Sequence, residues 1–208
     1  MEDILDLYAE PYDAARPVVC FDERPVQLIG ETRTPVPVRP GAAARIDYEY
    51  TRNGTCNIFV AVEPRHGRRH LTVTTRRTKA DFTRQMRWLV DVAYPEATVI
   101  RVVLDNLNTH TAAALYETLP PADARRLMRK IEFHYTPCHA SWLNMAEIEL
   151  SVLTRQCLAR RIPDRPTLTH EVSAYAKERN AARATLNWQF TTDNARTKLH
   201  RLYPSLST

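Results

Sequence analysis

Two aspartates each stand directly after a short apolar segment. Asp105 follows the run 99–104, which Arg101 alone interrupts, and Asp22 follows the run 18–21. Such runs are typical of strands that are buried on both faces of a sheet. Ligands of open α/β sheets bind at the carboxyl ends of the strands. The pattern therefore predicts that the two carboxylates meet at one site.

Two neighbouring carboxylates repel each other unless a proton or a cation neutralises one of them. Carboxylate oxygens suit Mg²⁺ or Mn²⁺. A pair of such ions can activate a water or hydroxyl group and stabilise the leaving oxygen of a phosphodiester. A third carboxylate would normally complete the coordination of the second ion. The expected chemistry is therefore cleavage or transfer of phosphodiesters with two metal ions.

A helix predicted over 143–160 offers two candidates for the third acid, Glu147 and Glu149. If Asn144 caps this helix, Glu147 is the third residue of its first turn. On a helical projection Glu149 falls within the apolar arc and Glu147 falls at its edge. Periodicity alone leaves both acids as candidates.

The remaining elements follow from the same patterns. Strands are predicted at 18–22, 57–62, 71–75, 98–105 and 131–135, and further helices at 79–94, 111–119, 121–130 and 164–180. Three antiparallel strands, a helix, a fourth strand, more helices, a fifth strand and a closing helix form the order of the ribonuclease-H-like α/β fold. We therefore expect a five-stranded mixed sheet that is flanked by helices.

The domain boundaries are expected as follows. Residues 1–17 are acidic and punctuated by proline, which favours a linker or docking segment outside the core. Residues 18–208 then form one domain. Within it, the proline-rich stretch 24–54 is predicted to be a long irregular insertion that projects as an arm or clamp, because such stretches in compact domains are usually functional.

The composition excludes several classes of protein. The four glycines are too scattered for a dinucleotide fingerprint or a phosphate-binding P-loop, so no nucleotide cofactor is expected. There is no Gly-x-Ser-x-Gly element of a serine hydrolase. The four cysteines form no Cys-x-x-Cys pair, which favours free thiols over a zinc site. No apolar run approaches the roughly 18 residues that span a bilayer, and no signal peptide is recognisable, so a cytoplasmic protein without a membrane partner is expected.

The charge is unevenly distributed along the chain. The formal net charge is +5, and residues 1–17 carry five acids and one arginine, so the remainder carries 5 − (1 − 5) = +9. Most of the basic residues are arginines, which suit contacts with phosphate. Candidate contacts with DNA are Arg68, Arg69, Arg76 and Arg77, although a solvated basic face would have the same composition.

Three short blocks carry a resemblance to a known family. The blocks Phe21-Asp22-Glu23, Val103-Leu-Asp-Asn106 and Ser141-Trp-Leu-Asn-Met-Ala-Glu147 resemble the catalytic blocks of mariner-related bacterial insertion-sequence transposases, and more narrowly those of the IS-six-thirty family. The interval between the second and third acids is 147 − 105 = 42 residues. Members typically carry Leu-Asn-Pro-Ile-Glu before the third acid, and the matching segment 143–147 favours Glu147 over Glu149.

The resemblance implies a DDE-type nuclease and strand transferase. Asp22, Asp105 and Glu147 would be its catalytic and metal-binding residues, with two Mg²⁺ or Mn²⁺ ions. Its partners would be DNA, both transposon ends and target, and the segment 24–54 would be a clamp that contacts DNA or a second subunit. Members usually act as dimers on paired ends, which suggests a homodimer without fixing it.

Further residues near these blocks are candidates for DNA contacts. Asn106 and His110 follow the second aspartate and would either orient it or touch the scissile phosphate. His139 and Trp142 precede the helix that carries Glu147, and packing of the indole ring is the alternative for Trp142.

Two alternative functions stay open at this stage. A ribonuclease H would share the fold and the metals but would need a fourth acid, for which Asp164 and Glu171 are candidates. Members of the family usually carry helix-turn-helix modules ahead of the catalytic domain, whereas this sequence starts at the linker and resembles the catalytic domain alone. An inactive or domesticated fragment that binds DNA is therefore the second alternative.

Overall fold

A computed structural model describes residues 1–43, 45 and 47–203. Its sheet contains β1 (Val18–Glu31), β2 (Tyr50–Glu63), β3 (Arg68–Thr74), β4 (Ile100–Leu104) and β5 (Ile131–Tyr135), in the order β3-β2-β1-β4-β5. Strand β2 runs antiparallel to β1 and β3, whereas β4 runs parallel to β1 and β5. The prediction of a mixed five-stranded sheet is confirmed.

The register of the sheet brings the two aspartates to the same level. Val18 pairs with Arg101 and Cys20 pairs with Val103 in the parallel ladder of β1 and β4. Two residues further on, Asp22 lies level with Asp105. Because side chains alternate between the two faces of a strand, Asp22 belongs to the face that carries Cys20 and Val103, and Asp105 lies level with it just beyond the end of β4.

Seven α-helices lie within the described residues, and one layer covers each face of the sheet. They are α1 (Glu2–Ala9), α2 (Lys79–Trp88), α3 (Ala112–Thr118), α4 (Pro121–Met128), α5 (Ala146–Gln156), α6 (Arg165–Ala181) and α7 (Thr192–Lys198). Apolar residues of α1, α5 and α6 form one core with the aspartate-bearing face, and those of α2, α3 and α4 form a second core with the opposite face. Burial on both faces explains why the central strands read as continuous apolar runs. No helix of the described chain is long and apolar enough to cross a membrane.

Helix α2 has a well-defined start and a modified end. Thr78 and Asp81 form a reciprocal capping box at its N-terminus. After Trp88 the chain continues as a single π-helical turn, Leu89–Ala93, and stops before Pro95. The predicted helix over 79–94 is therefore confirmed, with a widened last turn.

The prediction that residues 1–17 lie outside the core is wrong for helix α1. Ile4, Leu5, Leu7 and Tyr8 are at most 6% exposed and belong to the core that contains α5 and α6. The acids lie on the outer side of α1, where the Glu2 carboxylate accepts two hydrogen bonds of 2.8 Å from the Arg196 guanidinium. The acidic composition describes this outer side and hides the apolar one.

The stretch 24–54 is less irregular than its prolines suggest. Strand β1 continues to Glu31 and β2 begins at Tyr50, so both ends of this stretch form a long antiparallel hairpin. The segment that joins α5 to α6 braces this hairpin: Ile162 O accepts from Ile29 N at 2.8 Å, and Arg161 Nη2 donates to Asp47 O at 2.7 Å. The described residues of the stretch 24–54 therefore belong to a braced hairpin that extends from the sheet.

Candidate active site

Asp22 lies in a buried position on β1, where the residue is only 9% exposed. Its Oδ1 accepts a hydrogen bond of 2.8 Å from Glu23 N, and its Oδ2 lies 3.4 Å from Asn144 Nδ2. Burial, together with the negative charges of Glu147 and Asp105, raises the pKa of Asp22 to about 7. A carboxylate that is disfavoured by burial and by two like charges would be stabilised by a cation.

Asn144 fastens the start of helix α5 to β1. Its Nδ2 donates to Phe21 O at 2.8 Å, and its Oδ1 accepts from Ala146 N at 3.1 Å. The helix begins at Ala146, later than the predicted start, after a 3₁₀ turn at Ser141–Leu143. Asn144 therefore holds the first turn of α5, which contains Glu147, close to Asp22.

Glu147 and Glu149 have opposite environments. Glu147 is exposed, and its charge contributes to the raised pKa of Asp22. Glu149 is 0% exposed, and its Oε1 lies 2.9 Å from Arg69 Nε, 3.0 Å from Arg179 Nε and 2.7 Å from the Tyr175 hydroxyl. The protein itself thus satisfies Glu149, whereas Glu147 faces the surface beside Asp22.

His110 contacts the carboxylate of Asp105 from a buried position. The imidazole is 1% exposed, with Nδ1 at 2.6 Å from Asp105 Oδ1 and Nε2 at 2.8 Å from Glu23 Oε2. Burial lowers the pKa of His110, but the contacts with the two carboxylates outweigh it and raise the pKa to about 9. The hydrogen bond from His110 in turn lowers the pKa of Asp105. At neutral pH an imidazolium therefore lies between two carboxylates.

Arg77 extends this row of charges to the surface. Its Nη1 lies 3.4 Å from Glu23 Oε1, and its side chain is half exposed whereas that of Glu23 is buried. The aromatic rings of Phe21 and Phe82 pack against the imidazole of His110, at centroid distances of 5.5 and 5.0 Å. Charge pairing and packing together fix the side on which Asp105 can accept further ligands.

The predicted DNA contacts divide into exposed and buried residues. Asn106, Arg76, Arg77 and His139 are exposed. His139 also adopts a left-handed backbone with φ of 61°. These four residues remain predictions for DNA contact.

Burial contradicts two of the predicted DNA contacts, and for His110 the structure has the other role expected from the sequence, which is to orient Asp105. The side chain of Arg69 is 0% exposed and pairs with Glu149. His110 contacts Asp105 and Glu23 instead of facing solvent. Alternation along β3 and the depth of the loop after β4 decide these outcomes, and a run of arginines in the sequence reveals neither.

Arg68 and Trp142 are exposed but already have intramolecular contacts. Arg68 lies at the start of β3, where Nη1 donates to Ala93 O at 3.1 Å. The indole ring of Trp142 is 43% exposed and packs against the rings of Trp188 and Phe190, at centroid distances of 6.1 and 5.6 Å. The indole ring of Trp142 therefore packs within the protein, which was the alternative to a DNA contact.

The two candidates for a fourth acid have other roles. Asp164 caps helix α6, with Oδ1 accepting from Thr167 N at 2.8 Å. Glu171 forms an ion pair with Arg160. Both carboxylates are thus used elsewhere in the fold, and neither is a candidate fourth acid beside Asp22.

Sequence reasoning missed the roles of Glu23 and of the Asn144 amide. Glu23 directly follows Asp22, so alternation along β1 predicts that it points to the opposite face, but nothing in the sequence shows that His110 lies there. Asn144 was predicted as a helix cap, and its bond to β1 depends on tertiary packing. The only hint in the sequence was that each residue lies within three positions of a candidate catalytic acid.

The donor set suits a hard divalent cation. The three acids supply carboxylate oxygens, which Mg²⁺ and Mn²⁺ prefer, and the raised pKa of Asp22 reflects burial together with negative charge that is not neutralised. Within residues 1–43, 45 and 47–203, however, no three His, Cys, Asp or Glu side chains converge closely enough to hold an ion as they lie. Binding would therefore require small movements, for which the exposed Glu147 has room.

Comparisons with known proteins show the family through one family model and the fold through solved structures. A family model described as DDE superfamily endonuclease matches residues 17–169, which contain all three acids. A search of curated proteins found no match. The fold is ribonuclease-H-like, as predicted, and resembles that of Mos1 mariner transposase in several crystal structures.

Three of these crystal structures give similar results. The Mos1 mariner paired-end complex with Mn has a TM-score of 0.59 at 17% identity and covers 88% of this chain and 55% of its own. The Mos1 strand transfer complex has a TM-score of 0.56 at 19% identity and covers 87% and 51%. The pre-cleavage Mos1 transpososome has a TM-score of 0.55 at 17% identity and covers 88% and 59%. The chain thus spans about half the length of the transposase chains that it matches.

Proposed function

The chain belongs to the DDE superfamily endonucleases, and from that membership we propose that it is a transposase catalytic domain that cuts the ends of a DNA element and joins the freed 3′-hydroxyl to target DNA. One observation carries the proposal. The fold places Asp22, Asp105 and Glu147 in one region, where burial together with the charges of Glu147 and Asp105 raises the pKa of Asp22 to about 7. Acids placed in this way suit the binding of divalent cations beside a phosphodiester.

The three acids would hold two Mg²⁺ or Mn²⁺ ions, with Asp22 and Asp105 shared between them and Glu147 completing one coordination shell. Such ions, when bound, polarise the scissile phosphate and lower the pKa of an attacking water or hydroxyl group. The other residues position the acids. His110 fixes the rotamer of Asp105, because its Nδ1 lies 2.6 Å from Asp105 Oδ1. Asn144 links the strand that carries Asp22 to the helix that carries Glu147. The similarity to a Mos1 complex that contains Mn supports this choice of cation.

The finer assignments rest on the sequence blocks. The blocks around Asp22, Asp105 and Glu147 support membership of the mariner-related bacterial insertion-sequence family, which would place the protein in the bacterial cytoplasm. The catalytic domain would comprise 18–208 together with helix α1, which packs into its core. The hairpin 24–54 would be the clamp that contacts DNA or the second subunit of a homodimer. Similarity to Mos1 paired-end and strand-transfer complexes supports transposon ends and target DNA as the partners.

The deciding experiment measures nicking and strand transfer on pre-cut DNA ends with Mn²⁺. Wild type should cut and join, and Asp105→Asn should lose both activities by on the order of 10³-fold, because a neutral amide binds a cation far less well than a carboxylate. Asp193→Asn, at an aspartate that is 92% exposed on α7, is the matched control and should act as wild type. A wild type that binds DNA but never cuts it would instead indicate an inactive fragment. Cutting of an RNA–DNA hybrid in preference to DNA would indicate a ribonuclease H.

A further inference from the structure

An open groove begins at Glu147 and runs between β1 and α5. Both elements that form its walls carry a proposed catalytic acid and then an arginine. Arg24 follows Asp22 by two residues on β1, so it lies on the same face, about 7 Å along the strand. Arg155 follows Glu147 by eight residues on α5, about 12 Å along the helix axis. The groove therefore has acids at one end and a guanidinium on each wall beyond them.

Arg24 is held in place without losing its charge. Its Nη1 donates to Thr154 Oγ1 at 2.7 Å, and the Thr154 hydroxyl donates its own proton to Leu150 O, also at 2.7 Å. Since that proton is used within the helix, the hydroxyl oxygen is free to accept from Arg24. A neutral anchor orients the guanidinium but does not neutralise it.

The second arginine of the groove also lacks a carboxylate partner. Among the residues that the structure describes, neither Arg24 nor Arg155 forms an ion pair within 4.0 Å, whereas Arg69 and Arg179 are both paired with Glu149. Arg155 is exposed, as is Ser151, which lies between it and Glu147 on the same side of α5. The two arginines thus leave positive charge and several N–H donors available to a ligand anion.

We propose that this groove binds the DNA strand next to the cleaved bond, with Arg24 and Arg155 contacting successive phosphates on either wall. The inference rests on the proposed function, because that function places the scissile phosphate at the acids. A chain of phosphates that leaves the acids along the groove would pass Arg24 first and Arg155 further on. A single small anion would occupy at most one of these positions.

The first test measures the affinity for a short duplex with a pre-cut end by fluorescence anisotropy, without a divalent metal and across a range of salt concentrations. Arg24→Gln and Arg155→Gln should each weaken binding about tenfold and lower the slope of log K against log salt by about one, and the double variant should lower it by about two. The control is Arg125→Gln, at an exposed arginine of α4 on the other side of the sheet, which should match wild type. Thermal melts of all four variants should superimpose on that of wild type.

The second test locates the contact. An uncharged methylphosphonate next to the scissile phosphate should weaken binding by wild type but should not weaken binding by Arg24→Gln any further, because the contact is already lost. Thr154→Val keeps every charge and removes the acceptor that anchors Arg24, so it should weaken binding less than Arg24→Gln does.

The outcomes separate the two proposals. If both arginine variants bind like Arg125→Gln, or if the methylphosphonate effect persists unchanged in Arg24→Gln, the groove does not bind the strand, whether or not wild type cuts DNA. If the arginine variants lose affinity as expected while wild type never cuts, the groove proposal stands and the proposed activity fails.

Discussion

The outer and inner sides of helix α5 carry the same type of side chain with different consequences. On the outer side Glu147 is exposed beside two other acids, with no arginine shown to neutralise it within the described chain. On the inner side Glu149 is fully buried and meets two arginines and a tyrosine. The two glutamates are only two positions apart in the sequence. The charge of Glu147 has no counterion from the described chain, whereas the fold pairs Glu149 with two arginines.

The difference shows that the counterions decide the role of an acid in this molecule. The partners of Glu149 are themselves fixed: Arg69 donates to Gly67 O at 3.0 Å and to Ala184 O, and Asn180 accepts from Arg69 N at 2.8 Å. Such a network cannot release the carboxylate without leaving the buried Arg69 unpaired. Glu147 has no such network, so its charge is available to a bound cation.

Glu147→Gln should have the largest effect, and the effect should be on catalysis. We expect DNA cleavage with Mn²⁺ to fall by on the order of 10³-fold, because an amide replaces one of three carboxylates that would hold the ions. The free energy of unfolding should change by less than about 0.5 kcal/mol, since the residue is exposed. Single-turnover cleavage and urea unfolding measure the two quantities. Cleavage at the wild-type rate would remove Glu147 from the site.

Glu149→Gln should show the opposite pattern, with the effect on stability. Removal of the charge leaves the buried Arg69 and the partly buried Arg179 uncompensated, which should lower the free energy of unfolding by about 3–5 kcal/mol. Cleavage by the folded fraction should stay within a few-fold of wild type. Urea unfolding of both glutamate variants under the same conditions makes each the control of the other. A stable Glu149→Gln protein that cannot cut DNA would reverse the two roles.

These two glutamates also show how far the sequence could be read. The sequence of strands and helices along the chain and the two aspartates at one edge of the sheet follow from apolar periodicity, because the central strands are buried on both faces. Periodicity places Glu149 within the apolar arc but could not show that it is buried as an ion pair, because the arginines that meet it there come from distant elements. Arg69 was misread for the same reason, since its partner Glu149 lies 80 residues further along the chain. Helix α1 was misread because its acids mask its apolar side.

His110→Gln should have an intermediate effect, of about 10- to 100-fold on cleavage. The imidazolium fixes Asp105 without being a ligand itself, and loss of such an outer contact typically costs this much in metal affinity or activity. The affinity for Mn²⁺, measured by calorimetry, should fall together with the rate, whereas the affinity for DNA without metal should not change. His170→Gln, at an exposed histidine of α6, is the control and should leave all three quantities unchanged. Loss of DNA affinity alone would mean that His110 acts on the substrate instead.

Asp81→Ala should have the smallest effect and tests a third way of neutralising an acid. Asp81 Oδ2 accepts from Thr78 N at 2.9 Å and from the Thr78 hydroxyl at 2.7 Å, at the start of α2. Burial raises the pKa of Asp81, but these hydrogen bonds and Arg84 outweigh it and lower the pKa from its usual 3.8. A lowered native pKa stabilises the fold above pH 3.8, and this contribution is lost as the pH falls through the native pKa.

The variant should therefore be less stable than wild type by about 1 kcal/mol at pH 7, as is usual for a helix cap, and the difference should shrink towards pH 3. A difference that is constant with pH would mean that the carboxylate charge does not contribute to the cap.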